Sequence, residues 1–469
     1  MKCGKLISVS FSIIFIMLLQ SCAKDEVLTD DLVAAGGGFQ NNAQLSTNNE
    51  VVQDWTELLL EIERDAAGMR PNATARALAY IYLASYETAV PGMHNKKSNT
   101  ERLQGLEIDR QHKKGKGRIN WEIALNKAFA TTLDHFLINV PNSAKTQIED
   151  LEDSLEDELS ENISNQEVDK SKEWGEYVAN QVIAYSQTDL SAEAQILEPQ
   201  PYSYEPPTGD GYWTYSADAE RAWFPYWEEV RTFVISSDET SSIPPTPYST
   251  SPNSTYYEQM QEVYTVNNEA KAADGEQLWI AEFWSDDVEG LTFSPPARQY
   301  SIANQLTKQY DLNLKETLEL YLRLGFALND AAVSTWADKY EYMVMRPNVF
   351  IHEHMDADFQ TNLYQFIYWP NPSFPSYPSG HSCFASAAGG VFIDFFGNTT
   401  NFTDTSHEGR TEFKSDPRSF NSFEDLASEN AYSRIPLGVH MRMDCKEGLR
   451  LGYEISDAVN DLDLDKNPN

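Results

Sequence analysis

Three short clusters of polar residues in the last third of the chain contain the groups that a small oxyanion needs. They are Lys339 with Arg346-Pro347, then Pro378-Ser379-Gly380-His381, then Ser433-Arg434 with His440 and Asp444. Each arginine can hold two oxygens of a tetrahedral oxyanion, and the lysine adds a point charge. The residue types therefore predict a site for a multiply charged, phosphate-like ion.

The spacing within these clusters assigns a role to several of the side chains. Ser379-Gly380 stands just before a run of small residues with helical character, so backbone N–H groups at a helix N-terminus could join the anion site. His440 and Asp444 are four residues apart and share one helical face, so the carboxylate would orient the imidazole. The other ring nitrogen of His440 would then be free to attack or ligate the central atom, and His381 would transfer protons.

The other histidines have simpler interpretations. His94, His112, His135 and His407 are interpreted as structural residues. His352 and His354 flank Glu353, but no third ligand follows at a spacing typical of a metal site. The sequence therefore predicts no additional metal centre.

Helical periodicity dominates the chain around the three clusters. Apolar stripes begin near Val51, recur along much of the chain and include a long stripe from Leu314 to Lys339, whereas strand signals are sparse and no 20–50-residue repeat is found. The pattern predicts an all-α fold of two helical bundles packed together. The N-terminal bundle would cover residues 49–188, and the C-terminal bundle, residues 255–462, would carry the anion site.

A proline- and aromatic-rich arm, residues 189–254, is predicted to connect the bundles. Nine of the 22 prolines lie between Pro199 and Pro252, interleaved with tyrosine, tryptophan and phenylalanine. A loop of this length usually has a function or wraps another unit. We expect it to pack over the helices, because large apolar patches rarely stay exposed; an exposed aromatic ligand surface is the alternative.

The N-terminus is predicted to be an export signal. Lys2 and Lys5 precede an apolar run, Leu6 to Leu19, that is too short to span a bilayer, and residues 19–22 read Leu-Gln-Ser-Cys. This ending resembles a bacterial lipobox and implies a signal peptide over residues 1–21, lipid on Cys22 and a flexible tether over residues 22–48. The expected location is the outer membrane, as an exported lipoprotein with surface exposure as an option.

Charge and cysteine content narrow the classes of partner. The net charge of the 469 residues is −37, which argues against nucleic acid and anionic lipid surfaces, so membrane contact is expected only through the lipid anchor. Beyond Cys3 and Cys22 only Cys383 and Cys445 remain, which excludes a disulfide framework. Because the chain as a whole is negative, a small oxyanion would have to bind where the local charge is positive.

The three clusters together resemble the signature shared by type 2 phosphatidic acid phosphatases, bacterial acid phosphatases and vanadium-dependent haloperoxidases. The matching strings are Lys339-x6-Arg346-Pro347, Pro378-Ser379-Gly380-His381 and Ser433-Arg434-x5-His440-x3-Asp444. The motif alone does not separate phosphatases from peroxidases. The chain length, the helical pattern and the lack of predicted membrane helices after the signal favour a haloperoxidase-like fold.

The resemblance to haloperoxidases implies a role for each site residue. Vanadate would be the cofactor, with His440 as the vanadium ligand. The residues implied to surround it are Lys339, Arg346, Ser379, Gly380, His381 and Arg434. His381 would move protons, Lys339 would polarise the bound oxidant, and Asp444 would orient His440. Asp287 would contact the second arginine, and Trp336 and Phe374 would line a halide pocket.

The expected function is oxidation of a halide, iodide or bromide above all, by hydrogen peroxide to hypohalous acid, with phosphate as a competing anion. The first alternative is a phosphomonoesterase, in which His440 attacks phosphorus and His381 protonates the leaving group. The second alternative is a glycan-binding surface lipoprotein that uses the aromatic arm as its platform. That alternative leaves the signature without a purpose.

Overall fold

Helices make up most of the chain that the structure describes. The computed structural model describes residue 45 and residues 47–110, 118–215, 220–273, 275–286, 288–365 and 372–466, without the side chains of residues 364 and 365. The predicted signal peptide, Cys22 and most of the predicted tether lie outside these ranges. Among the described residues, no helix is both long enough and apolar enough to cross a membrane.

Fourteen α-helices and one small hairpin are found in the described ranges. The first six helices are α1 Glu50–Glu63, α2 Asn72–Ala89, α3 Trp121–Phe136, α4 Asn142–Leu159, α5 Asn165–Ser186 and α6 Leu190–Leu197. The other eight are α7 Thr255–Ala273, α8 Glu276–Phe283, α9 Pro295–Gln309, α10 Leu314–Tyr342, α11 Pro347–His354, α12 Gly380–Phe396, α13 Phe423–Leu437 and α14 Arg442–Asn460. Strands β1, Phe402–Asp404, and β2, Arg418–Phe420, pair antiparallel. The predicted all-α class is confirmed.

Local capping explains where several helices begin. Asn120, predicted as a cap, accepts hydrogen bonds from the backbone N–H groups of Glu122 and Ile123 at the start of α3. Asn313 and Glu316 form a reciprocal capping box at the start of α10. Side-chain oxygens at these positions satisfy N–H groups that have no partner within the helix.

Helix α2 joins the two ends of the sequence in one core. All 18 of its residues are buried, and it packs against α3 and α5 as well as against α10. Tyr82 of α2 stacks on Tyr300 of α9 with ring centroids 4.5 Å apart. One hydrophobic cluster therefore runs through helices from both halves of the sequence. Because the core is shared, the segment between α1 and α2 is held against the helices that carry the signature.

The proline-rich arm lies on this helical core. Trp213, Phe224 and Trp227 are buried, whereas Tyr202 is 72% exposed. Asp330, a buried carboxylate of α10, accepts hydrogen bonds from the backbone N–H groups of residues 233–235 at 2.7–3.1 Å. These bonds fix the second half of the arm to the helix that also carries Lys339. The tryptophans and phenylalanines of the arm are thus buried or half-buried, and its exposed aromatic surface consists of Tyr202, Tyr212 and Tyr226.

Candidate active site

Helix ends bring the three sequence clusters together. Lys339 lies in the last turn of α10, and Arg346 is the residue that precedes α11. Ser379 caps α12, which places Gly380 and His381 in the first turn of that helix. Arg434 lies in the last turn of α13. His440 and Asp444 flank the start of α14.

Helices α12 and α14 pack in very close contact. A Cβ atom at Gly448 would overlap with the carbonyl oxygen of Ser379, and one at Gly452 would overlap with the carbonyl oxygen of Cys383. The backbone N–H of Ser379 also donates to the carbonyl oxygen of Asp444 at 3.0 Å. Glycine on α14 thus allows an approach that sets the spacing between the Ser379–His381 cluster and the His440–Asp444 cluster.

His440 is held by a single carboxylate oxygen. Its Nδ1 lies 3.0 Å from Oδ2 of Asp444, and that oxygen also accepts from Oγ of Ser376 at 2.5 Å and from the backbone N–H of Met441 at 3.1 Å. Burial raises the pKa of Asp444 to about 6, so the carboxylate is ionised at neutral pH and accepts a hydrogen bond from Nδ1. Nε2 of His440 is the nitrogen left for a ligand.

Burial and positive neighbours keep His440 neutral. Its side chain is 4% exposed, and burial lowers its pKa well below the ordinary value, assisted by Arg346, Lys339 and Arg434. The guanidinium Nη1 of Arg346 lies 3.2 Å from Nε2 of His440. Nε2 thus accepts a hydrogen bond from Arg346, and a ligand or electrophile would take the place of this bond at the neutral imidazole.

Main-chain carbonyl groups, and not carboxylates, accept the hydrogen bonds of the two buried cations Lys339 and Arg346. Nζ of Lys339 donates to the carbonyl oxygens of Pro375, Ser376 and Pro378 at 2.5–3.0 Å. Burial, followed by the charge of Arg346, lowers the pKa of Lys339 well below its ordinary value. No carboxylate is hydrogen-bonded to this ammonium group among the described residues, so its charge stays largely uncompensated.

Arg346 is fixed in a similar way. Its Nε donates to Phe374 O at 2.9 Å and its Nη1 to Val439 O at 3.1 Å. Its Nη2 is buried and has no hydrogen-bond partner in the part of the chain that the structure describes. Leaving such a group unsatisfied is costly, so this nitrogen indicates room for an acceptor.

The other side of the site is formed by α12, α13 and the end of α8. Nη1 of Arg434 donates to Trp284 O at 2.7 Å. Nε2 of His381 lies 3.3 Å from the backbone oxygen of Asp286, and burial, together with the charge of Arg434, lowers the pKa of His381 well below its ordinary value. Neutral His381 can therefore accept a proton.

The acid predicted to contact Arg434 was Asp287, which lies outside the described residues. Its neighbour Asp286 is 2% exposed and lines the cavity, and burial raises its pKa to about 7 although Arg298 and Arg434 act in the opposite direction. Two adjacent acids follow α8, and helical spacing cannot decide between them. Asp286 is therefore a site residue that the sequence did not single out.

A cavity of about 600 Å³ opens above these groups. The predicted residues that line it are Trp336, Phe374, Gly380, His381, Arg434 and His440. The rings of Trp336 and Phe374 are in contact, with centroids 4.9 Å apart. Lys339, Arg346, Ser379 and Asp444 are buried and contact this wall from behind. Trp223 of the arm and the segment between α1 and α2 close the cavity.

The donors fit a tetrahedral oxyanion. Arg346 has a free buried nitrogen, His440 presents Nε2, and Arg434 and the N-terminus of α12 border the same space. Apart from Asp286, the groups named here are cations, neutral imidazoles or N–H donors. The same set would hold vanadate or phosphate, because the two ions share shape and charge.

Ser376 and the two cysteines near the signature were not assigned a role from the sequence. Ser376, which hydrogen-bonds Asp444, has no spacing signal of its own. Cys383 and Cys445 are both free and buried, and burial raises the pKa of each to about 12. They are therefore neutral thiols with little nucleophilic character.

Comparisons with known proteins agree with this geometry. The family model of the VCPO second helical-bundle domain matches residues 319–465. The vanadium chloroperoxidase of Curvularia inaequalis is 22% identical over an alignment of 213 residues, which covers 34% of this chain and 35% of that protein. The match thus spans about a third of the length of this curated relative.

Solved structures extend the likeness to nearly the whole chain. The crystal structure of the first bacterial vanadium-dependent iodoperoxidase superimposes with a TM-score of 0.77 at 26% identity, and covers 91% of this chain and 100% of the other. A holo-type bacterial vanadium-dependent chloroperoxidase gives a TM-score of 0.64 at 15% identity, with 89% and 98% covered. The second likeness concerns the fold alone. The helices that carry the signature thus match the VCPO second helical-bundle domain, and the described chain as a whole is similar in fold to bacterial vanadium-dependent haloperoxidases.

Proposed function

We propose that the protein uses bound vanadate to oxidise a halide, iodide or bromide in preference to chloride, with hydrogen peroxide. The observation that carries the proposal is the setting of His440, which is buried, neutral and bonded to Asp444 through Nδ1, with Nε2 beside Arg346. The overall reaction joins one halide, one hydrogen peroxide and one proton to give hypohalous acid and water.

The residues that would hold vanadate are His440 through Nε2, with Lys339, Arg346, Arg434, Ser379 and Gly380 around the oxygens. When bound, the ion supplies a Lewis acid that need not change its oxidation state. The cations neutralise the charge of the oxyanion, and Asp444 keeps the proton of His440 on Nδ1. Lys339 acts as a point charge, because its three hydrogen bonds go to carbonyl groups.

His381 is the proposed proton carrier. It lines the cavity and is neutral because of burial and the charge of Arg434. It would accept a proton from hydrogen peroxide and return it to the departing oxygen. The contact of its Nε2 with Asp286 O, at 3.3 Å, orients the ring. Removal of His381 should therefore affect turnover more than binding of the oxyanion.

The preference for iodide or bromide is supported by the cavity wall. Trp336 and Phe374 present aromatic surface beside the proposed site and exclude water, which suits large and weakly hydrated halides. The iodoperoxidase structure, at 26% identity, gives further support. Iodide and bromide also give up electrons more readily than chloride.

The test is to load vanadate-free protein with orthovanadate and to measure peroxide-dependent oxidation of iodide, bromide and chloride beside hydrolysis of an aryl phosphate. We expect iodide and bromide oxidation that requires vanadate and is inhibited by phosphate. His440→Ala should be inactive, and the matched control His354→Ala, at the end of α11, should retain activity. Hydrolysis without halide oxidation would instead establish the phosphatase alternative.

We also propose that the protein is an outer-membrane lipoprotein anchored through Cys22. The support is the basic start, the short apolar run and the Leu-Gln-Ser-Cys string of residues 19–22. Metabolic labelling with a fatty acid should mark the wild-type protein and leave Cys22→Ala unlabelled. Membrane fractionation should move the variant to a soluble fraction, and an unchanged distribution with no label would contradict the proposal.

A further inference from the structure

We propose that Arg70 forms a second anion subsite in the cavity, which takes a monovalent anion: the halide itself or the carboxylate of an organic substrate. This inference rests on the proposed function, because it assigns the place where the second substrate is held. Arg70 belongs to the connection between α1 and α2, more than 260 residues before the first signature lysine. No signature position includes it.

Arg70 is part of the cavity wall. Gly68, Arg70 and Pro71 line the cavity together with His381, His440 and Arg434 from the C-terminal helices. Glu289, which is exposed, and Gly68, which is half-buried, belong to the same wall. Arg70 therefore borders the same space as the oxyanion residues.

The guanidinium has a donor to spare. Nη1 donates to Thr292 O at 2.9 Å, and Nη2 donates to the backbone oxygens of Glu63 and Arg64 at 3.1 and 2.9 Å. Nε is buried and has no hydrogen-bond partner among the described residues, and the side chain as a whole is 6% exposed. A buried donor on a charged group is costly to leave unsatisfied, and a bound anion would remove that cost.

Room for a ligand distinguishes Arg70 from other arginines. Arg76, Arg102 and Arg418 also carry a buried nitrogen without a hydrogen-bond partner in the described ranges, but these side chains do not line the cavity. Arg346 is the parallel case, since its free Nη2 lies at the oxyanion end. The same feature thus occurs twice, at Arg346 behind the wall near His440 and at Arg70 in the wall itself.

The charge of Arg70 is only partly compensated. The carboxylate of Glu63 lies 3.6 Å from Nη2, and it also accepts from the backbone N–H of Ser294 at 3.3 Å and from Oγ1 of Thr74 at 3.5 Å. The chain as a whole carries a charge of −37 and repels small anions. A buried cation in the cavity wall provides the local attraction that a halide needs.

A purely structural role explains only part of these contacts. The bonds from Nη2 to Glu63 O and Arg64 O satisfy carbonyl groups at the end of α1. That role requires the Nη nitrogens alone. It accounts neither for the unpartnered Nε nor for the place of the side chain on the cavity wall.

The first experiment locates the anion. Crystals of the vanadate-free protein, soaked in millimolar bromide and in separate crystals in millimolar bromobenzoate, are examined by anomalous scattering at the bromine edge. We expect a bromide ion in contact with Nε of Arg70 in the first arm, or the carboxylate of bromobenzoate there in the second. Bromine found in the cavity away from Arg70, or at molar concentration only, would overturn the assignment.

The second experiment compares Arg70→Gln with the control Arg64→Gln, whose side chain lies over the ring of Phe293 and does not line the cavity. In the vanadate-loaded enzyme, Arg70→Gln should raise the halide KM about tenfold or more, because a charge-assisted hydrogen bond is lost. The value of kcat should stay within about twofold, and vanadate affinity should be unchanged. If the carboxylate is the ligand, the KM of the organic substrate rises and that of the halide does not.

A third variant tests the subsite if Arg70→Gln fails to fold. Glu63→Gln preserves the bonds of Arg70 to the three carbonyl groups and removes the opposing charge, so bromide binding to the vanadate-free protein, measured calorimetrically, should become tighter. Unchanged or weaker binding would contradict the subsite.

If bromide binds at Arg70 in protein without halide oxidation, the inference stands and the proposed function falls. If oxidation is normal and no KM changes in Arg70→Gln, the proposed function stands and the inference falls.

Discussion

Two buried polar clusters lie side by side in this protein, and their charges are balanced in opposite ways. In the first, which we call the Arg298 cluster, Arg298 of α9 contacts Asp286 at 3.3 Å, Asp404 at 2.8 Å and His407, and the side chains of Arg298 and both acids are fully buried. One cation thus meets two carboxylates. In the candidate active site, no carboxylate is hydrogen-bonded to Lys339 or Arg346 among the described residues, and the nearby Asp444 is engaged by His440, Ser376 and the backbone of Met441.

The difference separates a scaffold from a site that binds an anion. In the Arg298 cluster, although burial acts in the opposite direction, the charge of Arg298 and two hydrogen bonds from Ser406 hold the pKa of Asp404 below its ordinary value. In the active site, burial lowers the pKa of Lys339, and neighbouring Arg346 lowers it further. Two carboxylates offset the charge of Arg298 in the first cluster, whereas the second has a surplus of positive charge that an oxyanion would neutralise.

The largest expected effect is the loss of vanadate binding in His440→Ala. This variant removes the ligand nitrogen, whereas His381→Ala removes only the proton carrier and should bind vanadate with near wild-type affinity while losing turnover. Equilibrium dialysis with metal analysis measures the binding directly. Equal vanadate affinity in wild type and His440→Ala would refute the ligand assignment and would weaken the distinction between the two clusters.

The second prediction compares Arg298→Met with Arg346→Met in vanadate-free protein. Arg298→Met leaves two buried carboxylates without their cation and should cost about 3–5 kcal/mol of the free energy of unfolding. Arg346→Met removes a poorly compensated charge and two bonds to carbonyl groups, so its cost should be less than half as large. Chemical denaturation measures both values. Equal losses would show that the two clusters do not differ in charge balance.

A third prediction concerns stabilisation by the anion. Orthovanadate at a hundred times its dissociation constant should stabilise the folded protein by about 2.7 kcal/mol, because it binds the native state alone. The thermal midpoint of wild type should rise accordingly, and Arg298→Met should show a similar rise from its lower baseline. His440→Ala should show none. A comparable shift in His440→Ala would mean that the anion acts elsewhere on the molecule.

The smallest effect is a pH dependence in the Arg298 cluster. Burial and the charge of Arg298 lower the pKa of His407 to about 3, below the ordinary value of 6.5. The contribution of His407 to stability, which is fully present above pH 6.5, is therefore lost as the pH falls, by up to about 1.4 kcal/mol per pH unit, whereas the raised pKa of Asp286 acts in the opposite direction. Denaturation of wild type and His407→Gln between pH 6.5 and 5 should show that wild type loses stability relative to the variant as the pH falls. A slope equal to that of wild type would place the titration elsewhere.

The sequence predicted the parts of the site that depend on local spacing. The cap at Ser379 follows from the run of small residues after it, and the pairing of His440 with Asp444 follows from their four-residue spacing. Asn120, expected to begin a helix, caps α3. Each of these relations is local in sequence, but the shared helical face predicted for His440 and Asp444 is wrong. His440 lies two residues before α14 begins, and the pairing forms because Asp444, in the first turn, reaches back over the start of the helix.

The parts that were not predicted depend on contacts between distant segments. Arg70 reaches the cavity because α2 packs on α10, and Trp223 reaches it because Asp330 anchors the arm. His407 was interpreted as a structural residue, and it does belong to the Arg298 cluster, but its partners lie on α9 and after α8. The periodicity of the sequence does not predict such contacts, because they form only when helices that are distant in sequence pack together.

The contact between α12 and α14 has a consequence for how this enzyme can vary. Gly448 and Gly452 place α14 so near the backbone of α12 that side chains cannot be enlarged there without moving the signature residues. The part of the cavity wall formed by the signature residues is therefore fixed by this packing. Changes in substrate scope, whether by natural drift or by design, have to arise on the other part of the wall, which is built from residues 68–71, Trp223 and Val288–Glu289.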